Sequence, residues 1–367
     1  MFPQNLENVR PENSPASALK RGEQILAEGE LVLVDAQAVI DTYSENERFS
    51  CQKYGEYQKL VSENPSFGYK RCAKLLGVPM GRTRWWHTKG KKKAVPLALK
   101  AVQKLESAGL LPFTSSHKRA PLVLNMLGVL FGDGGIDCRL NGVAFISSDK
   151  RDIDLWLSDL LEVFPFARGK TDIVEGGEYG HSYNLRCYDR AVIRFFAALG
   201  APVGDKIITR YVLPPFLFSL RPRFAISFLD GLFASEIAVP RFAVSPHSTD
   251  YFKNFSLSLS KNVEIEESHR NFLEELKQLS KKASIQTTPY TRKDNGLSVL
   301  RKDGKTSCPF RIFFRCNLDN VFRFDKAFSL RYARNKKKKL ESEVAKARAA
   351  LAAKTIPFRP AAPSFAP

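Results

Sequence analysis

The sequence lacks the features that mark several common protein classes. No run of apolar residues in the 367-residue chain is long enough to span a bilayer, and Met1–Asn8 has neither the basic start nor the apolar stretch of a secretory signal. The six cysteines are scattered and form no CxxC pair, which excludes a zinc ribbon and a disulfide framework and is typical of a reducing compartment. We therefore expect a soluble, intracellular protein of the cytoplasm.

Several motifs of common enzymes are also missing. The sequence contains no P-loop, no GxSxG and no GxGxxG, so it shows no phosphate-binding loop or nucleophile elbow. The five histidines are dispersed and lack the HxxxH spacing of a zinc site. Any chemistry of this chain must therefore come from residues of other types.

Acidic residues are too few to balance the basic ones. The chain has 57 Lys and Arg against 38 Asp and Glu, a net charge of +19. Residues 51–120 carry a net charge of +12 and residues 331–367 of +8, whereas residues 121–330 carry only +4. Solubility alone does not require such clustering, and each phosphate contact of a clustered cation releases counterions. We therefore expect a polyanion as partner, with double-stranded DNA favoured.

Composition and periodicity divide the chain into segments of different character. Polar and acidic residues dominate its beginning, a basic helical stretch follows, and helical and strand-like stretches then alternate. The predicted segments are an acidic, partly disordered segment (1–50), a basic helix-turn-helix-like domain (51–113), a linker (114–120), a first repeat (121–220), a second repeat (221–340) and a tail that is helical and then rich in Pro and Ala (341–367).

Residues 67–87 have the pattern of a helix, a tight turn and a second helix. Ala73 is small where another helix must cross, Gly77 suits a turn with positive φ, and Val78 would fill the angle between the helices. The spacing resembles a helix-turn-helix, whose second helix enters the major groove, although a helical hairpin with a basic solvent face has the same pattern. The residues that we expect to contact DNA are Arg82, Arg84, Trp86, Lys89, Lys91, Lys92 and Lys93.

Two apolar segments of the core resemble each other, and each ends in an acid. Small residues stand four apart in both, and residues at i and i+4 share one helix face, which lets two backbones approach closely. Asp133 and Glu236 follow the first small residue of their segments at the same offset. If the helices pack together, both carboxylates emerge at one end, where they need cations between them. Helix-end acids kept for solubility are the alternative. The expected interface residues are Gly128, Gly132, Gly231 and Ser235.

Further matching segments support a duplication. Arg-Cys follows an extended stretch at Arg186 and again at Arg315, and an apolar helix begins after each. The second half has the longer spacing, and we expect its extra loop around Gln286–Ser307. The matching elements are the strands Val143–Ser148 and Phe255–Ser260 and the helices Ile153–Phe164, Asn271–Leu279, Val192–Leu199 and Val321–Phe328.

Residues from about Leu122 to Lys339 resemble a single-chain LAGLIDADG homing endonuclease with two fused repeats, here preceded by the helix-turn-helix-like domain. The resemblance rests on the two motif segments and on the segments Leu199–Lys206, Val212–Pro215, Phe322–Arg331 and Lys336–Lys339. It implies an α+β fold of two pseudo-symmetric αββαββα repeats, which form a saddle over duplex DNA. It also implies a monomer, and a mobile intron or a free-standing gene as its source.

The resemblance further implies site-specific, metal-dependent cleavage of both strands of a long DNA target. Asp133 and Glu236 would be the catalytic acids that ligate Mg²⁺ or another divalent cation such as Mn²⁺. Arg186 and Arg315 would support the attacking water or the scissile phosphate, with contacts to the DNA backbone as their alternative role. The second motif departs from the family pattern at Ile237, where the final glycine would stand.

Two other functions fit the same sequence. A non-catalytic DNA-binding regulator would use the same scaffold with a silent acid pair, and an intron RNA maturase would use the basic surface to help an intron fold. The presence of both Asp133 and Glu236 favours the nuclease, because a buried pair of unneutralised carboxylates is costly for a protein that only binds.

Overall fold

The computed structural model describes residues 25–26, 30–88, 94–176, 181–244 and 250–355. Helices and antiparallel strands are mixed along this part of the chain, which confirms the expected α+β class. The longer helices are α1 (Ala36–Asp41), α2 (Glu45–Glu63), α3 (Tyr69–Leu76), α4 (Met80–His87), α5 (Leu97–Ser107), α6 (Ala120–Phe131), α7 (Lys150–Val163), α8 (Arg190–Ala198), α9 (Phe216–Ser219), α10 (Pro222–Glu236), α11 (Glu266–Lys282), α12 (Leu318–Ala327) and α13 (Arg334–Thr355). The strands are β1 (Ile25–Leu26), β2 (Glu30–Val34), β3 (Phe113–Thr114), β4 (Gly135–Ile136), β5 (Val143–Ser147), β6 (Thr171–Glu175), β7 (Tyr183–Cys187), β8 (Ile237–Ala238), β9 (Arg241–Ala243), β10 (Tyr251–Lys253), β11 (Ser256–Asn262), β12 (Thr287–Lys293), β13 (Val299–Leu300) and β14 (Thr306–Phe314).

The elements from α6 to α8 and from α10 to α12 follow the same order. Each set is a helix, two strands, a helix, two strands and a helix, with the additions β9, β10 and β13 in the second set. The first sheet has the order β4-β5-β7-β6 and the second the equivalent order β8-β11-β14-β12, with antiparallel neighbours throughout. Two αββαββα repeats are therefore present.

The alternation of side chains in β14 explains how each sheet presents two different faces. Phe310, Ile312 and Phe314 are buried, whereas the intervening Arg311 and Phe313 are half-buried. Successive side chains of a strand point to opposite faces, so one face packs against the helices and the other remains accessible. The accessible face is where basic residues of the sheets can meet a ligand.

The elements predicted from periodicity agree with the structure within a few residues. The strand expected at Val143–Ser148 is β5, and the helices expected after it and after β11 are α7 and α11. One expectation was only partly right. About half of the extra loop expected around Gln286–Ser307 forms β12, β13 and the beginning of β14, because these stretches pair with the rest of their sheet.

The amino-terminal part does not divide where the sequence suggested. Tyr54, Tyr57, Cys72, Val78 and Trp86 form a small core of their own. In contrast, the apolar faces of α1 and α5 belong to the main core, and both helices pack against α8. Residues 30–50 form β2, α1 and the start of α2, and β3 pairs with β2 across the expected linker. The predicted boundaries at 50 and 113 are therefore corrected.

Polar contacts reinforce the docking of these helices on the first repeat. Lys104 of α5 donates to Asp189, the residue that caps the first turn of α8. Arg194 of α8 donates to the carbonyl oxygen of Thr42 and stacks 4.0 Å above the Tyr43 ring. Helices α1 and α5 are thus part of the same packed body as the first repeat.

The carboxyl-terminal helix also begins earlier than expected, at Arg334 instead of near residue 341. Residues 356–367, for which we predicted a Pro- and Ala-rich tail, lie outside the described residues. Of the helices in the described ranges, none combines the length and the apolar character that a bilayer crossing requires.

Candidate active site and nucleic-acid interface

The small residues of the two motif segments bring α6 and α10 into close contact. A Cβ added to Gly128 would lie 1.9 Å from the Phe228 carbonyl oxygen, and one added to Gly231 would lie 1.9 Å from that of Asn125. A Cβ added to Gly132 would lie 2.4 Å from the Cβ of Ser235. The four residues expected at the interface therefore lie in it, on a near-symmetric seam.

The packing of α6 against α10 places Asp133 and Glu236 at the same end of the helix pair. Asp133 follows the last turn of α6, and Glu236 is the last residue of α10. A Cβ added to Gly132, the neighbour of Asp133, would lie 3.3 Å from the Cγ of Glu236. Asp133 is exposed and Glu236 is half-buried, so solvent and a ligand can reach the pair from one side.

Both carboxyl groups are held in an environment that disfavours their charge. Burial among the surrounding residues raises the pKa of Asp133. Burial and then the charge of Asp133 raise the pKa of Glu236 to about 7. Asp133 is exposed to solvent on one side. Its pKa is therefore raised by the protein atoms on its other sides and not by complete exclusion of water. Such perturbed carboxyls in an accessible position mark candidate functional sites.

Two lysines offset this charge in equivalent ways. The Lys206 ammonium donates to the carbonyl oxygen of Gly132 and, at 2.6 Å, to that of Gly134. The Lys336 ammonium donates to the carbonyl oxygen of Ser235. Each lysine thus binds the carbonyl directly before one acid, at the end of a helix where the dipole is negative. The charges of both lysines stabilise the ionised acids.

A third lysine, Lys261, lies close to the same charges. It is buried, donates to the carbonyl oxygen of Lys206, and its ammonium lies 3.6 Å from the centre of the Tyr211 ring. Burial and the charge of Lys206 lower the pKa of Lys261 to about 7. Burial likewise lowers the pKa of Lys206 and of Lys336.

Sequence reasoning assigned no role to these three lysines. Lys206 and Lys336 were visible only as members of the segments that carry the family resemblance. Both follow the last helix of their repeat by a short connector, and this shared position is the signal that could have identified them.

The donor set of this site fits a hard divalent cation. Asp133 and Glu236 offer carboxylate oxygens in neighbouring positions, and no cluster of three or more His, Cys, Asp or Glu within the described residues could enclose a metal unaided. Mg²⁺ prefers oxygen ligands and is commonly held by one or two carboxylates, with water and substrate phosphates completing its shell. The pair therefore suits a cation that is shared with a phosphorylated ligand.

Arg186 and Arg315 lie in the sheets and not among the charges that act on the acids. Arg186 is exposed on β7, paired in register with Ala144 and Asp172. Arg315 is exposed directly after β14 and lines a surface pocket of about 350 Å³ together with Lys281. Neither guanidinium is among the cations that perturb the pKa of Asp133 or Glu236. Their support of the scissile phosphate stays a prediction.

The predicted helix-turn-helix segment forms two helices with a left-handed residue between them. Gly77 ends α3 with φ of 63°, and the buried Val78 packs in the angle before α4. Arg82 and Arg84 of α4 are exposed and available to a ligand. The expected contacts from Lys89, Lys91, Lys92 and Lys93 lie outside the described residues.

Trp86, which we expected at the DNA surface, is instead a core residue. Its side chain is 3% exposed, and its ring centre lies 5.4 Å from that of Tyr54 and 5.5 Å from that of Tyr57. The neighbouring Trp85 is 58% exposed. The helix turns by 100° per residue, so only one of two adjacent tryptophans can face the core. This corrects the expectation for Trp86 and makes Trp85 the accessible aromatic residue of α4.

No model of a known protein family matches the chain. Parts of it are similar to three curated archaeal proteins. These are DNA-directed RNA polymerase subunit Rpo1N of Methanocaldococcus jannaschii (25% identical over 217 residues, 56% of this chain), tRNA-splicing ligase RtcB of the same organism (27% over 212 residues, 52%) and archaeal Lon protease of Pyrococcus abyssi (30% over 127 residues, 35%). The matches cover 16%, 21% and 12% of these relatives, so the chain spans about a fifth of their length or less.

Among solved structures, the chain is similar to the homing endonuclease I-DmoI. A set of mesophilic variants of I-DmoI is 14% identical, with a TM-score of 0.36, covering 57% of this chain and 89% of that one. I-DmoI in complex with DNA and Ca is 15% identical, with a TM-score of 0.36 and the same coverage. A variant of I-DmoI bound to nicked target DNA with Mn is 15% identical, with a TM-score of 0.37, covering 57% and 95%. At these values the likeness assigns no activity to this chain.

Proposed function

We propose that this chain is a site-specific, metal-dependent double-strand DNA endonuclease of the LAGLIDADG type. The observation that carries the proposal is the acid pair. Two helices in backbone contact deliver Asp133 and Glu236 to one accessible point, although burial raises the pKa of both carboxyl groups and the charge of Asp133 raises that of Glu236 further. Holding two acids in this way costs free energy unless a cation and a ligand offset their charges.

The roles follow from the chemistry of each group. Asp133 and Glu236 would hold the divalent cation, and the phosphate groups of DNA would complete its coordination. When bound, the cation would supply the positive charge that stabilises the attack on phosphorus and the departure of the 3′ oxygen. Lys206 and Lys336 favour the ionised form of both acids and hold the ends of α6 and α10 in place.

The distribution of positive charge supports DNA as the ligand. Arg186 and Arg315 are exposed on the two sheets, and Arg82 and Arg84 are exposed on α4. Contacts from arginine to phosphate oxygens position a protein on the duplex without reading its sequence. We propose that the sheets bind the central part of the target and that α4 binds an adjacent major groove, which lengthens the recognised site.

The curated relatives support a separable module. The names of the three proteins share no activity, yet similar segments cover no more than 21% of each of them. Because the matches cover so little of each relative, we infer that the similar segments carry a function that is independent of the polymerase, ligase and protease that the names describe.

The proposal is tested by cleavage of a randomised duplex library with Mg²⁺ or with EDTA. We expect metal-dependent breaks at one long sequence for the unaltered chain and none for the double variant Asp133→Asn, Glu236→Gln. The variant leaves Lys206, Lys336 and Lys261 without the opposite charges of the acids, so its fold is checked by thermal unfolding beside the unaltered chain before cleavage is compared. A folded double variant that still cuts would contradict the assignment of the acids.

The same experiment separates the alternative functions. Selective duplex binding without breaks would indicate a non-catalytic DNA-binding regulator. Tighter binding of intron RNA than of duplex DNA, together with rescue of splicing, would indicate a maturase. Because both alternatives use the same basic surfaces, only cleavage distinguishes the nuclease from them.

The role of α4 needs substitutions instead of a deletion, because α1 and α5 belong to the main core. Replacing both Arg82 and Arg84 by Gln leaves the small core intact and should reduce the slope of log K against log salt by about 1.8, at about 0.9 for each lost phosphate contact. The matched control is Lys118→Gln, an exposed cation away from α4. An unchanged slope would show that α4 does not contact the DNA backbone.

A further inference from the structure

The segment that delivers Lys336 is built differently from the one that delivers Lys206. We call residues 199–206 the first connector and residues 328–336 the second connector, since each joins the last helix of its repeat to its lysine. The first connector is attached through backbone groups. Val203 forms a parallel bridge with Ile136, and the Gly204 N–H donates to the Ile136 carbonyl oxygen at 2.8 Å.

The second connector is attached instead to buried carboxylates. The buried Asp152 of α7 accepts from the Arg334 N–H at 3.4 Å, and two further buried carboxylates make shorter hydrogen bonds to the connector. Asp230 of α10 accepts from the Leu330 N–H at 2.7 Å and from the Ser329 hydroxyl at 2.7 Å. The same carboxylate accepts from the Asn125 side chain of α6 at 2.9 Å. Asp230 therefore joins the second connector to both α6 and α10.

The second carboxylate belongs to the other repeat. Asp159 of α7 is 2% exposed and accepts two parallel hydrogen bonds of 2.7 Å from the Arg331 guanidinium. It also accepts from the Tyr332 hydroxyl at 2.7 Å. A bidentate pair of this kind fixes direction as well as distance. The connector of the second repeat is thus fastened to the first repeat four residues before Lys336.

The backbone of the second connector depends on these bonds. Leu330 has a φ of 46°, a left-handed conformation that is unfavourable for a residue with a branched side chain. The Leu330 N–H donates a hydrogen bond to the Asp230 carboxylate. The Leu330 carbonyl oxygen also accepts from the Ala333 N–H at 2.8 Å, and its side chain is 1% exposed. The carboxylate is therefore one of three interactions that hold the conformation that turns the chain toward Lys336.

We propose that Asp230 and Asp159 are positioning residues, which place the Lys336 ammonium on the Ser235 carbonyl beside Glu236. They touch neither a metal nor DNA. Asp159 acts through the second connector, and Asp230 acts through the second connector and through Asn125 of α6. The half of the site at Glu236 therefore depends on two buried carboxylates, whereas the half at Asp133 does not. The consequence for cleavage rests on the proposed function, but the consequence for Lys336 does not.

The position of Lys336 is measured by brief acylation of the full-length, metal-free protein with acetic anhydride, followed by mass spectrometry. The exposed Lys118 serves as the internal standard, and Lys206 as the reporter of the other half of the site. In Asp159→Asn and in Asp230→Asn we expect acylation of Lys336 to rise about tenfold relative to Lys118, the factor expected from one lost charge-assisted hydrogen bond. Acylation of Lys206 should stay unchanged.

Two further variants keep the test decisive. Tyr332→Phe removes a single hydroxyl from Asp159, so it should fold even if the aspartate variants do not, and should give a smaller rise in the same direction. Glu275→Gln is the matched control. Glu275 lies on α11, the counterpart of α7, and accepts from the Leu213 N–H at 3.0 Å, outside the second connector. It should leave Lys336 unchanged.

The second readout is cleavage of a supercoiled plasmid that carries the target. If the half at Glu236 alone is weakened, nicked circles should accumulate in Asp159→Asn and Asp230→Asn, whereas the unaltered chain and Glu275→Gln should proceed to linear product. Unchanged acylation of Lys336 in all three connector variants, or an equal rise at Lys336 and Lys206, would overturn the proposal. If the unaltered chain cuts no DNA, the proposed function fails, and the acylation of Lys336 still decides the role of the carboxylates.

Discussion

The contact between α6 and α10 allows a sharp test at Gly128. Heavy atoms rarely approach a Cβ more closely than 3.0 Å, whereas a Cβ at this position would lie 1.9 Å from the Phe228 carbonyl oxygen and 2.8 Å from the Leu232 nitrogen. Both obstacles are backbone atoms of α10, so no change of rotamer relieves the overlap. Gly128→Ala must therefore push the two helices apart by about 1 Å or more, in a core packed too densely to follow.

We expect Gly128→Ala to lower the free energy of unfolding by about 3 kcal/mol or more, the upper part of the range for overpacked cores. Gly231→Ala should have a similar effect, since its Cβ would meet the Asn125 carbonyl oxygen at 1.9 Å. The measurement is urea unfolding without metal.

Gly55→Ala is the matched control for both substitutions. Gly55 lies exposed within α2 with no atom within 4 Å of an added Cβ, so alanine there should stabilise the chain by about 0.5–1 kcal/mol. If Gly128→Ala is tolerated as well as Gly55→Ala, α6 and α10 do not pack with their backbones in contact. In that case their packing does not bring Asp133 and Glu236 together.

Four other predictions follow from the site and from α4. Because Glu236 must lose its proton before it can ligate a cation, the affinity for Mn²⁺ should rise about tenfold per pH unit up to about pH 7 and then level off, and Glu236→Gln should abolish this slope in a calorimetric titration. In the metal-free protein the same raised pKa makes the free energy of unfolding fall as the pH rises from about 4.5 to about 7, and Glu236→Gln should remove that part of the pH dependence in urea unfolding. Lys261→Met should stabilise the protein most at pH 7 and below, and less as the pH approaches 10, because burial lowers the pKa of Lys261 and disfavours its charged form. Equal stabilisation at pH 7 and at pH 10 would contradict the burial of a charged ammonium group. Trp86→Ala should destabilise the small core by about 3–5 kcal/mol, whereas Trp85→Ala should leave thermal unfolding unchanged and weaken DNA binding, which unfolding scans and a duplex titration can separate.

The parts of the site that sequence reasoning found are those encoded locally. The spacing of Gly128 and Gly132 places both on one helix face, and the offset to Asp133 repeats at Glu236, so the seam and the acid pair follow from short segments. The order of strands and helices within each repeat was accessible for a similar reason, since the periods of two and of 3.6 residues are visible in single elements.

The parts that sequence reasoning missed depend on contacts between distant segments. Lys206 and Lys336 reach the acids through irregular connectors, whose course no periodicity describes. The division of roles between Trp85 and Trp86 was hidden because α4 has only eight residues, too few for its buried face to be read from the pattern. The apolar face of α5 looks the same whether it packs on α4 or on α8, and therefore the boundary at 113 was misplaced.

The balance of charge at the site bears on how metal and DNA would bind. Two carboxylates and three ammonium groups meet there, so the fully ionised site has more positive than negative charge. Burial lowers the pKa values of the lysines and raises that of Glu236, so fewer of these groups are charged near neutral pH, and a site without an excess of negative charge attracts a divalent cation only weakly. Phosphate groups would add the missing negative charge, and by linkage a cation must then strengthen DNA binding by the same factor by which DNA strengthens cation binding. If the chain is the proposed nuclease, the lysines therefore do more than cap two helices. They would make metal binding by the acid pair depend on DNA, which would confine hydrolysis to the bound complex.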